Sequence, residues 1–328
     1  MPVIASKNVT EKVELESSPC PMGCPSGDEH VLTGRDRLHD LPGKFNVVKC
    51  KTCGLMRTNP RPTQDSIGFY YPETYGPWTP VPKNKSAVIS RPLPAWKQII
   101  KDLILGKPLA LTPPLPPGKM LEIGCGNGSF MHSMAIKGWR VQGIESSQKA
   151  GEAIKELGYP VYIGPLESAP APKEPVDLIV GWHVLEHLHH PLQSLKMMKT
   201  WLKPGGCLAL SMPNTASFEF KWFMHRWYAL HLPNHLYHFD PKTVENLLKA
   251  SGWKMEQVAH EINIGNLFGS AGYFLQDTLG AKNSLANYMA NFPARDSQFK
   301  YYLTSVVRAF AYFGQTGRMV IWAKRLED

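Results

Sequence analysis

One stretch combines a strand, a glycine turn and the start of a helix, and it constrains the fold more than any other part of the chain. Apolar residues at Met120–Ile123 predict a buried strand, which Gly124, Gly126 and Gly128 then break. Apolar spacing predicts a helix over Ser129–Lys137. Glycines let backbone N–H groups approach a ligand, and a helix N-terminus favours a carboxylate or phosphate. The stretch therefore predicts a site for an anionic or nucleotide-like group.

Strands and helices alternate from this stretch to the end of the chain. Further strands are predicted at Arg140–Ile144, Val161–Ile163, Val176–Gly181, Cys207–Met212, Trp253–Ala259 and Met319–Lys324. Helices are predicted at Ser147–Leu157, Pro191–Leu202 and Pro241–Ser251. Such alternation is typical of a parallel, doubly wound sheet. We therefore predict an α/β fold with a doubly wound, seven-stranded sheet.

The acid before the glycine turn carries a resemblance to a known family. Glu122 lies two residues before Gly124, and the glycines follow as G-x-G-x-G, whereas dinucleotide-binding folds have G-x-G-x-x-G. This pattern resembles motif I of class I S-adenosylmethionine (AdoMet) dependent methyltransferases. Glu145 ends the second predicted strand, where a carboxylate accepts hydrogen bonds from both hydroxyls of a ribose. The resemblance implies a Rossmann-like domain that binds AdoMet, with Glu122 facing the methionine amino group.

The resemblance also implies a set of cofactor contacts along the ends of the first four strands. These residues are Glu122, Gly124, Cys125, Gly126, Asn127, Gly128, Glu145, Ser146, Leu166 and His183. After the third strand the family often has an acid that contacts the adenine amino group, but Pro165 stands at that position here. We therefore expect the backbone near Leu166, together with Glu167, to hold the adenine.

Two close cysteine pairs precede this domain. They are Cys20 with Cys24 and Cys50 with Cys53, each with turn-forming residues inside. Four thiolates at these spacings suit one tetrahedral zinc ion, and four reduced cysteines without metal are the alternative. The following C-G-L-x-R-x-N-P-R-P and Y-Y resemble the zinc head of a subset of bacterial class I methyltransferases, which act on sugars, lipids and other small metabolites. We predict a structural zinc ion that supplies folding energy to the head.

Composition and aromatic clustering divide the chain into four predicted segments. They are a flexible tail (1–18), a zinc-binding head (19–76), a proline-rich connector with one helix (77–118) and the methyltransferase domain (119–328), with cap inserts near 214–240 and 263–314. The dense aromatic residues of both inserts predict a helical aromatic cap over the substrate; for the second insert, a plain helical cover or a dimer surface is the alternative. Tyr70, Tyr71 and Tyr75 either cover the active site or pack in the core of the head.

Histidines are the candidates for acid–base chemistry. If the segment after the fourth strand is helical, His183, Glu186 and His187 share one face. Ubiquinone-type O-methyltransferases resemble this segment, but with an acid in place of His183, and their triplet can hold a divalent cation. Three roles stay open: cofactor lining, a general base at His187, and metal binding. His235 and His238 lie in a P-x-H-x-x-x-F pattern that recurs in these enzymes; we predict acid–base roles for them, with core packing as the alternative.

The charge and hydropathy of the chain limit which partners and which cellular location we expect. Lys and Arg number 36 against 27 Asp and Glu, which gives a net charge of +9 spread along the chain. No apolar run reaches the roughly 18 residues of a membrane span, and the polar start does not resemble a signal peptide. We expect a cytoplasmic protein, and peripheral association with an anionic membrane surface is the alternative.

These observations predict methyl transfer from AdoMet to a small-molecule acceptor that is hydrophobic, lipidic or glycosylated. The alternative is an RNA methyltransferase that binds nucleic acid through the zinc head. Two observations count against it: the basic residues do not cluster, and no Asn-Pro-Pro-Tyr-type motif follows the fourth strand. We therefore expect a small-molecule substrate and no nucleic-acid partner.

Overall fold

A seven-stranded sheet forms the centre of the protein. The computed structural model describes residues 13–72, 75–78, 113–261, 263–294 and 310–326. The strands of this sheet are β6 (Lys119–Ile123), β7 (Arg140–Glu145), β8 (Val161–Ile163), β9 (Val176–Trp182), β10 (Leu202–Pro213), β12 (Trp253–His260) and β13 (Arg318–Arg325). Their order is β12-β13-β10-β9-β6-β7-β8; β13 runs antiparallel to both of its neighbours, and the remaining pairs are parallel. The predicted α/β, doubly wound, Rossmann-like sheet is confirmed.

Helices cover both faces of this sheet. They are α1 (Ser129–Ile136), α2 (Gln148–Glu156), α3 (Pro191–Trp201) and α5 (Pro241–Ala250). Leu121 and Ile179 share one apolar cluster with side chains of α3 and α5, whereas Met120 and Leu178 share a second cluster with side chains of α1 and α2. Alternate residues of a strand point to opposite faces, so each central strand contributes to both layers.

The boundaries of these elements follow local sequence signals. Asp240 accepts a hydrogen bond from the Thr243 N–H and forms a capping box at the start of α5. The Ser147 hydroxyl accepts a hydrogen bond from the Ala150 N–H and caps α2. The main difference from the predicted limits is β10, which begins at Leu202 rather than Cys207. Leu202 already pairs with Val176, and the register shifts before Cys207, because the intervening prolyl–glycyl segment forms an irregular extension and not a separate turn.

The cysteine-containing head is built on a second, four-stranded sheet. Its strands are β2 (Asp28–Gly34), β3 (Phe45–Cys50), β4 (Met56–Thr58) and β11 (Tyr237–His238), in the order β11-β4-β3-β2. A separate pair joins β1 (Leu15–Glu16) to β5 (Arg61–Pro62). Strand β11 belongs to the first predicted cap insert, so this insert and the head share one sheet. The predicted connector helix near Trp96 and residues 1–12 of the predicted tail lie outside the described residues.

The two predicted inserts also form α-helices. They are α4 (Phe218–Phe223), α6 (Gly265–Leu279) and α7 (Ser284–Ala290). Asp277 of α6 accepts hydrogen bonds from Arg37 of the head, at 2.8 and 3.1 Å, and from Arg226, at 2.6 Å. This carboxylate therefore links the head and both inserts.

A buried carboxylate in α4 makes stability depend on pH. Glu219 accepts hydrogen bonds from the Gly317 N–H (3.2 Å) and the Trp227 indole N–H (3.4 Å), and burial raises its pKa to about 7 from an ordinary value of 4.5. The folded state therefore holds this proton more tightly than the unfolded chain, and stability falls as pH rises from 4.5 to 7.

We expect Glu219→Gln to lose this contribution to the pH slope. The variant keeps the side-chain size without the charge, so its free energy of unfolding at pH 8 should exceed that of the parent by up to about 3 kcal/mol. Urea unfolding at pH 5 and pH 8 measures the difference, and Glu245→Gln, an exposed carboxylate in α5, is the control. Identical pH slopes in the parent and Glu219→Gln proteins would contradict the assignment.

Candidate active site

A cavity of about 550 Å³ opens at the carboxyl ends of β6, β7, β8 and β9. The sheet side of its lining includes Ile123, Gly124, Gly126, Glu145, Ser146, Gly164, Pro165, Leu166, Glu167, Trp182, His183, Val184, His187, Leu188 and His189. The head, which the stacking of Trp78 on Tyr71 extends to residue 78, contributes Gln64, Asp65, Ile67, Gly68, Tyr71, Tyr75 and Trp78. In open α/β sheets, ligands bind outside the carboxyl ends of the strands, where neighbouring connections leave on opposite faces. This volume is typical of a small-molecule site.

The glycine turn forms the floor of this cavity next to β6. Gly124, Gly126 and Gly128 have φ values of 64°, 52° and 74°, which side chains with a Cβ adopt only with strain. A Cβ on Gly124 would also lie 2.7 Å from Cγ2 of Val184. Both the backbone conformation and the close approach of the next strand's loop therefore require glycine at position 124.

Glu145 lies at the end of β7 with its carboxylate fixed by backbone donors. Its Oε2 accepts from the Gly126 N–H at 2.7 Å, and its Oε1 accepts from the Ser147 N–H at 2.8 Å. The side chain is 3% exposed, yet it lines the cavity. Oε2 retains a further acceptor position, and Oε1 makes only a long contact of 3.4 Å with the Ser146 hydroxyl, so the group can also accept from ligand hydroxyls.

The other predicted cofactor residues divide into two groups. Gly124, Gly126, Glu145, Ser146, Leu166 and His183 line the cavity, whereas Glu122, Cys125, Asn127 and Gly128 are not among its lining residues. Burial and the nearby Glu145 raise the pKa of Glu122 well above its ordinary value. Asn127 accepts hydrogen bonds from the Ser129 N–H (3.1 Å) and hydroxyl (2.6 Å), which stabilises the start of α1.

The segment after β9 brings its histidines and Glu186 together without an α-helix. His183 has a positive φ of 55°, and a short 3₁₀ turn follows at Leu185–His187. His183 Nδ1 lies 3.2 Å from Oε1 of Glu186, which is 0% exposed. His187 Nδ1 lies 2.9 Å from the Asn234 carbonyl and 2.8 Å from the Tyr71 hydroxyl. Because a carbonyl only accepts, we assign the proton of His187 to Nδ1.

The two histidines predicted further along the chain have different surroundings. His235 Nδ1 lies 3.0 Å from the Ala229 carbonyl, and its Nε2 lies 4.0 Å from Oε1 of Glu186. His238 instead lies in β11, with Nε2 3.1 Å from the Thr58 hydroxyl in the head. The structure thus groups His187 and His235 around Glu186 and places His238 in the head's sheet. Neither His235 nor His238 is among the lining residues of the cavity described here.

Burial keeps these imidazoles neutral at ordinary pH. It lowers the pKa of His187, and it lowers the pKa of His235 further, with additional repulsion from His187 and His231. It also lowers the pKa of His231 and of His238 to about 3. A group that stays neutral retains a lone pair on one ring nitrogen, which can take a proton or bind a metal.

Aromatic side chains from the head form one wall of the cavity. The rings of Tyr71, Tyr75 and Trp78 pack together with centroids 5.1 to 5.6 Å apart. Tyr70 instead packs on Phe45 in the head core and donates a hydrogen bond to the Pro42 carbonyl. Of the two interpretations of the head tyrosines, covering the site thus describes Tyr71 and Tyr75, and core packing describes Tyr70.

Sequence reasoning missed several contributors to the site. Gln64, Asp65 and Trp78 line the cavity, and the Asn234 carbonyl orients His187, but none was singled out. The run of aromatic residues after Phe69 could have indicated that Trp78 belongs to the site. The role of Asn234 had no such signal, because a backbone carbonyl leaves no trace in residue identity.

The four predicted metal-binding cysteines lie together in the head. Their sulfur atoms are within 4.8 Å of one another and form no disulfide; those of Cys20 and Cys53 are 3.5 Å apart. Gly23 and Gly54, with φ of 69° and 79°, turn the chain inside or just after each pair. Burial opposes ionisation of Cys50, but N–H groups of Cys53 and Thr52 lower its pKa to about 7. This donor set fits a tetrahedral zinc ion.

Comparison with known proteins identifies the family. The family described as "Methyltransferase domain" matches residues 95–258, which is half of the chain. The chain belongs to this family, and the predicted resemblance to class I AdoMet-dependent methyltransferases is confirmed.

Individual relatives match shorter parts of the chain. The ubiquinone biosynthesis O-methyltransferases of Ralstonia nicotianae and Paraburkholderia phytofirmans are 34% and 37% identical, each over 102 residues. Each match covers 29% of this chain, and the chain spans 43% and 44% of the two relatives. An S-adenosylmethionine dependent methyltransferase from Mesorhizobium loti has a TM-score of 0.44 and 16% identity, over 66% of this chain and 94% of that one. In the described residues, no helix has the length and apolar character of a membrane span.

Proposed function

We propose that this protein transfers a methyl group from AdoMet to a small-molecule acceptor held between the sheet and the head. The proposal rests on the hydrogen bond that joins Glu145 to the glycine turn at the edge of the cavity, from the Gly126 N–H to Glu145 Oε2 at 2.7 Å. Family membership agrees with this assignment.

Named residues of the cavity suit the parts of AdoMet. Glu145 would accept the ribose hydroxyls, the glycine turn would approach the methionine moiety, and Leu166 would lie near the adenine. When bound, AdoMet supplies an electrophilic methyl group on its sulfonium. The protein's part is to align an acceptor atom with that group, to exclude water and to remove a proton where one is released.

The acceptor side of the cavity supports a substrate with a sizeable apolar part. Tyr71, Tyr75 and Trp78 present aromatic rings, and Ile67 and Leu188 add aliphatic surface. Such a wall stacks on a flat ring, a sugar or an isoprenoid chain. Polar side chains on this side include His183 and His187, and His183 Nδ1 lies 3.2 Å from Oε1 of Glu186, so we assign proton removal from the acceptor to His183. His238 receives no such role, because its ring contacts Thr58.

The head has a structural part in this proposal. Cys20, Cys24, Cys50 and Cys53 would hold one zinc ion, which cross-links two turns of the head. The same head supplies the aromatic wall, so the metal would stabilise the active site without taking part in the reaction.

Calorimetry with AdoMet tests the proposed function. We expect Glu145→Ala to weaken AdoMet binding about 30-fold, which corresponds to about 2 kcal/mol, the cost of removing a charged acceptor from a buried site. Glu152→Ala on the exposed surface of α2 is the control and should bind AdoMet like the parent. Absence of AdoMet binding by the folded parent, or equal binding by Glu145→Ala, would refute the proposal.

A further inference from the structure

Beside the cavity lies a compact group of potential metal ligands. One ligand atom from each of Glu186, His187 and His235 lies within 4.8 Å of the other two. The residues come from two separate segments, the turn after β9 and the segment before β11. His187 also lines the cavity, so the group adjoins the place of the acceptor.

The charge of Glu186 lacks an adequate partner in the described part of the chain. The carboxylate is completely buried, and among these residues it pairs with His183, at 3.2 Å, and with His235, at 4.0 Å. Its Oε2 has no hydrogen-bond partner there. A buried carboxylate with an unpaired oxygen is costly unless a cation compensates it.

The histidines are oriented as metal ligands usually are. Nδ1 of His187 faces the Asn234 carbonyl, and Nδ1 of His235 faces the Ala229 carbonyl, at 2.9 and 3.0 Å. In metal sites the ligating imidazole commonly donates its other N–H to a backbone carbonyl, which fixes the ring and the tautomer. Each Nε2 is left with a lone pair, and that of His235 lies on the side of Glu186.

We propose that Glu186, His187 and His235 bind a divalent transition-metal ion, such as zinc, at the acceptor end of the cavity. Two imidazoles and one carboxylate suit such an ion and leave a coordination position for a substrate oxygen. The role of this metal rests on the proposed methyl transfer. It narrows the acceptor class to compounds that carry a hydroxyl, enol or phenol oxygen.

The metal would act as a Lewis acid on the acceptor oxygen. Coordination lowers the pKa of the bound O–H, whose proton leaves to solvent by way of His183, which is 32% exposed and lines the cavity. The oxygen lone pair then forms the new O–CH₃ bond while the S–CH₃ bond of AdoMet breaks, and that electron pair stays on sulfur. Charge and atoms balance, and the products are the methyl ether, S-adenosylhomocysteine and one proton.

Metal counting on the full-length protein tests the site. We expect two zinc ions per chain in the parent, one in Glu186→Gln, and two in the control His238→Asn, which changes a buried histidine outside the ligand set. Cobalt substitution separates the two sites, since four thiolates give intense sulfur-to-metal charge-transfer absorption and the proposed site gives only weak visible bands. Glu186→Gln should keep the intense absorption and lose the weak bands.

Further measurements keep this proposal distinct from the proposed function. Glu186→Gln and His187→Ala should bind cobalt at this site at least about 100-fold more weakly than the parent, and a retained thiolate absorption shows that their heads are folded. A single metal in the parent, or two in Glu186→Gln, overturns the metal site. Because AdoMet binding is measured separately on the same samples, its presence leaves the proposed methyl transfer standing even if the metal site fails.

Discussion

Replacing Cys50 by serine is expected to remove zinc from the cysteine cluster and to reduce methyl transfer at least about 100-fold. Cys50 is buried at the end of β3, and serine is a poor zinc ligand. Binding of structural zinc contributes about 10–16 kcal/mol to folding in zinc-finger peptides, so its loss should unfold much of the head. Zinc analysis and an assay with a surrogate acceptor measure both effects.

A series of strand pairings and contacts connects the cysteines to the cavity and explains the expected loss of activity. Strand β3 carries Cys50 and pairs with β4, which pairs in turn with β11. The head then continues to Tyr71, whose hydroxyl contacts His187 at 2.8 Å. If the head unfolds, the aromatic wall and the orientation of His187 are lost together. A displacement of about 1 Å in an active site is enough for a 100-fold loss of rate.

A matched cysteine variant provides the control. Cys207 lies buried in β10, outside the four-sulfur cluster, so Cys207→Ser makes the same chemical change in the large sheet. We expect it to retain the zinc of the cysteine cluster and most of the activity. Full activity of Cys50→Ser without zinc in the cysteine cluster would show that the head holds its shape through packing alone, and would contradict the structural role of this zinc.

The sequence predicts the large sheet well because its signals are local. Most strands of that sheet contain a short apolar run between glycine, proline or charged residues, and the helices that cover it have a capping residue or apolar spacing. The predicted and observed limits of β8 are identical, at Val161–Ile163, and those of β6 and β7 differ by one residue. The glycine turn and Glu145 are predicted for the same reason, since each follows directly from a strand end.

Pairing between distant segments was beyond sequence reasoning. Strand β11 has only two residues and pairs with β4, about 180 positions earlier, through contacts such as the Thr58 N–H to the Leu236 carbonyl at 2.9 Å. Two residues carry no periodicity, and no pattern ties them to the head. For the same reason the meeting of His235 with Glu186 was not predicted, although both residues were noted.

Local backbone conformation also changed one expectation. The histidine segment was considered as a helix face, but His183 has a positive φ and only a 3₁₀ turn follows. The side chains of His183 and His187 still lie close to Glu186, because the turn places the Glu186 carboxylate 3.2 Å from His183 Nδ1. Positive φ at a non-glycine residue is uncommon and concentrates at functional sites, and residue type alone does not reveal it.

Gly124→Ala is expected to weaken AdoMet binding at least about 100-fold, which corresponds to about 2.7 kcal/mol. The substitution adds strain at a φ of 64° and places a Cβ 2.7 Å from Cγ2 of Val184. The backbone and Val184 must both shift, and both line the cavity.

Gly138→Ala is the matched control, because Gly138 has a φ of 91° but its Cβ would lie 3.6 Å from Pro117. It carries similar strain without a clash at the site, so we expect it to lose stability and to keep its affinity. If calorimetry finds equal AdoMet affinity in the two variants, the glycine turn does not approach the ligand, and the placement of AdoMet over Gly124 is wrong.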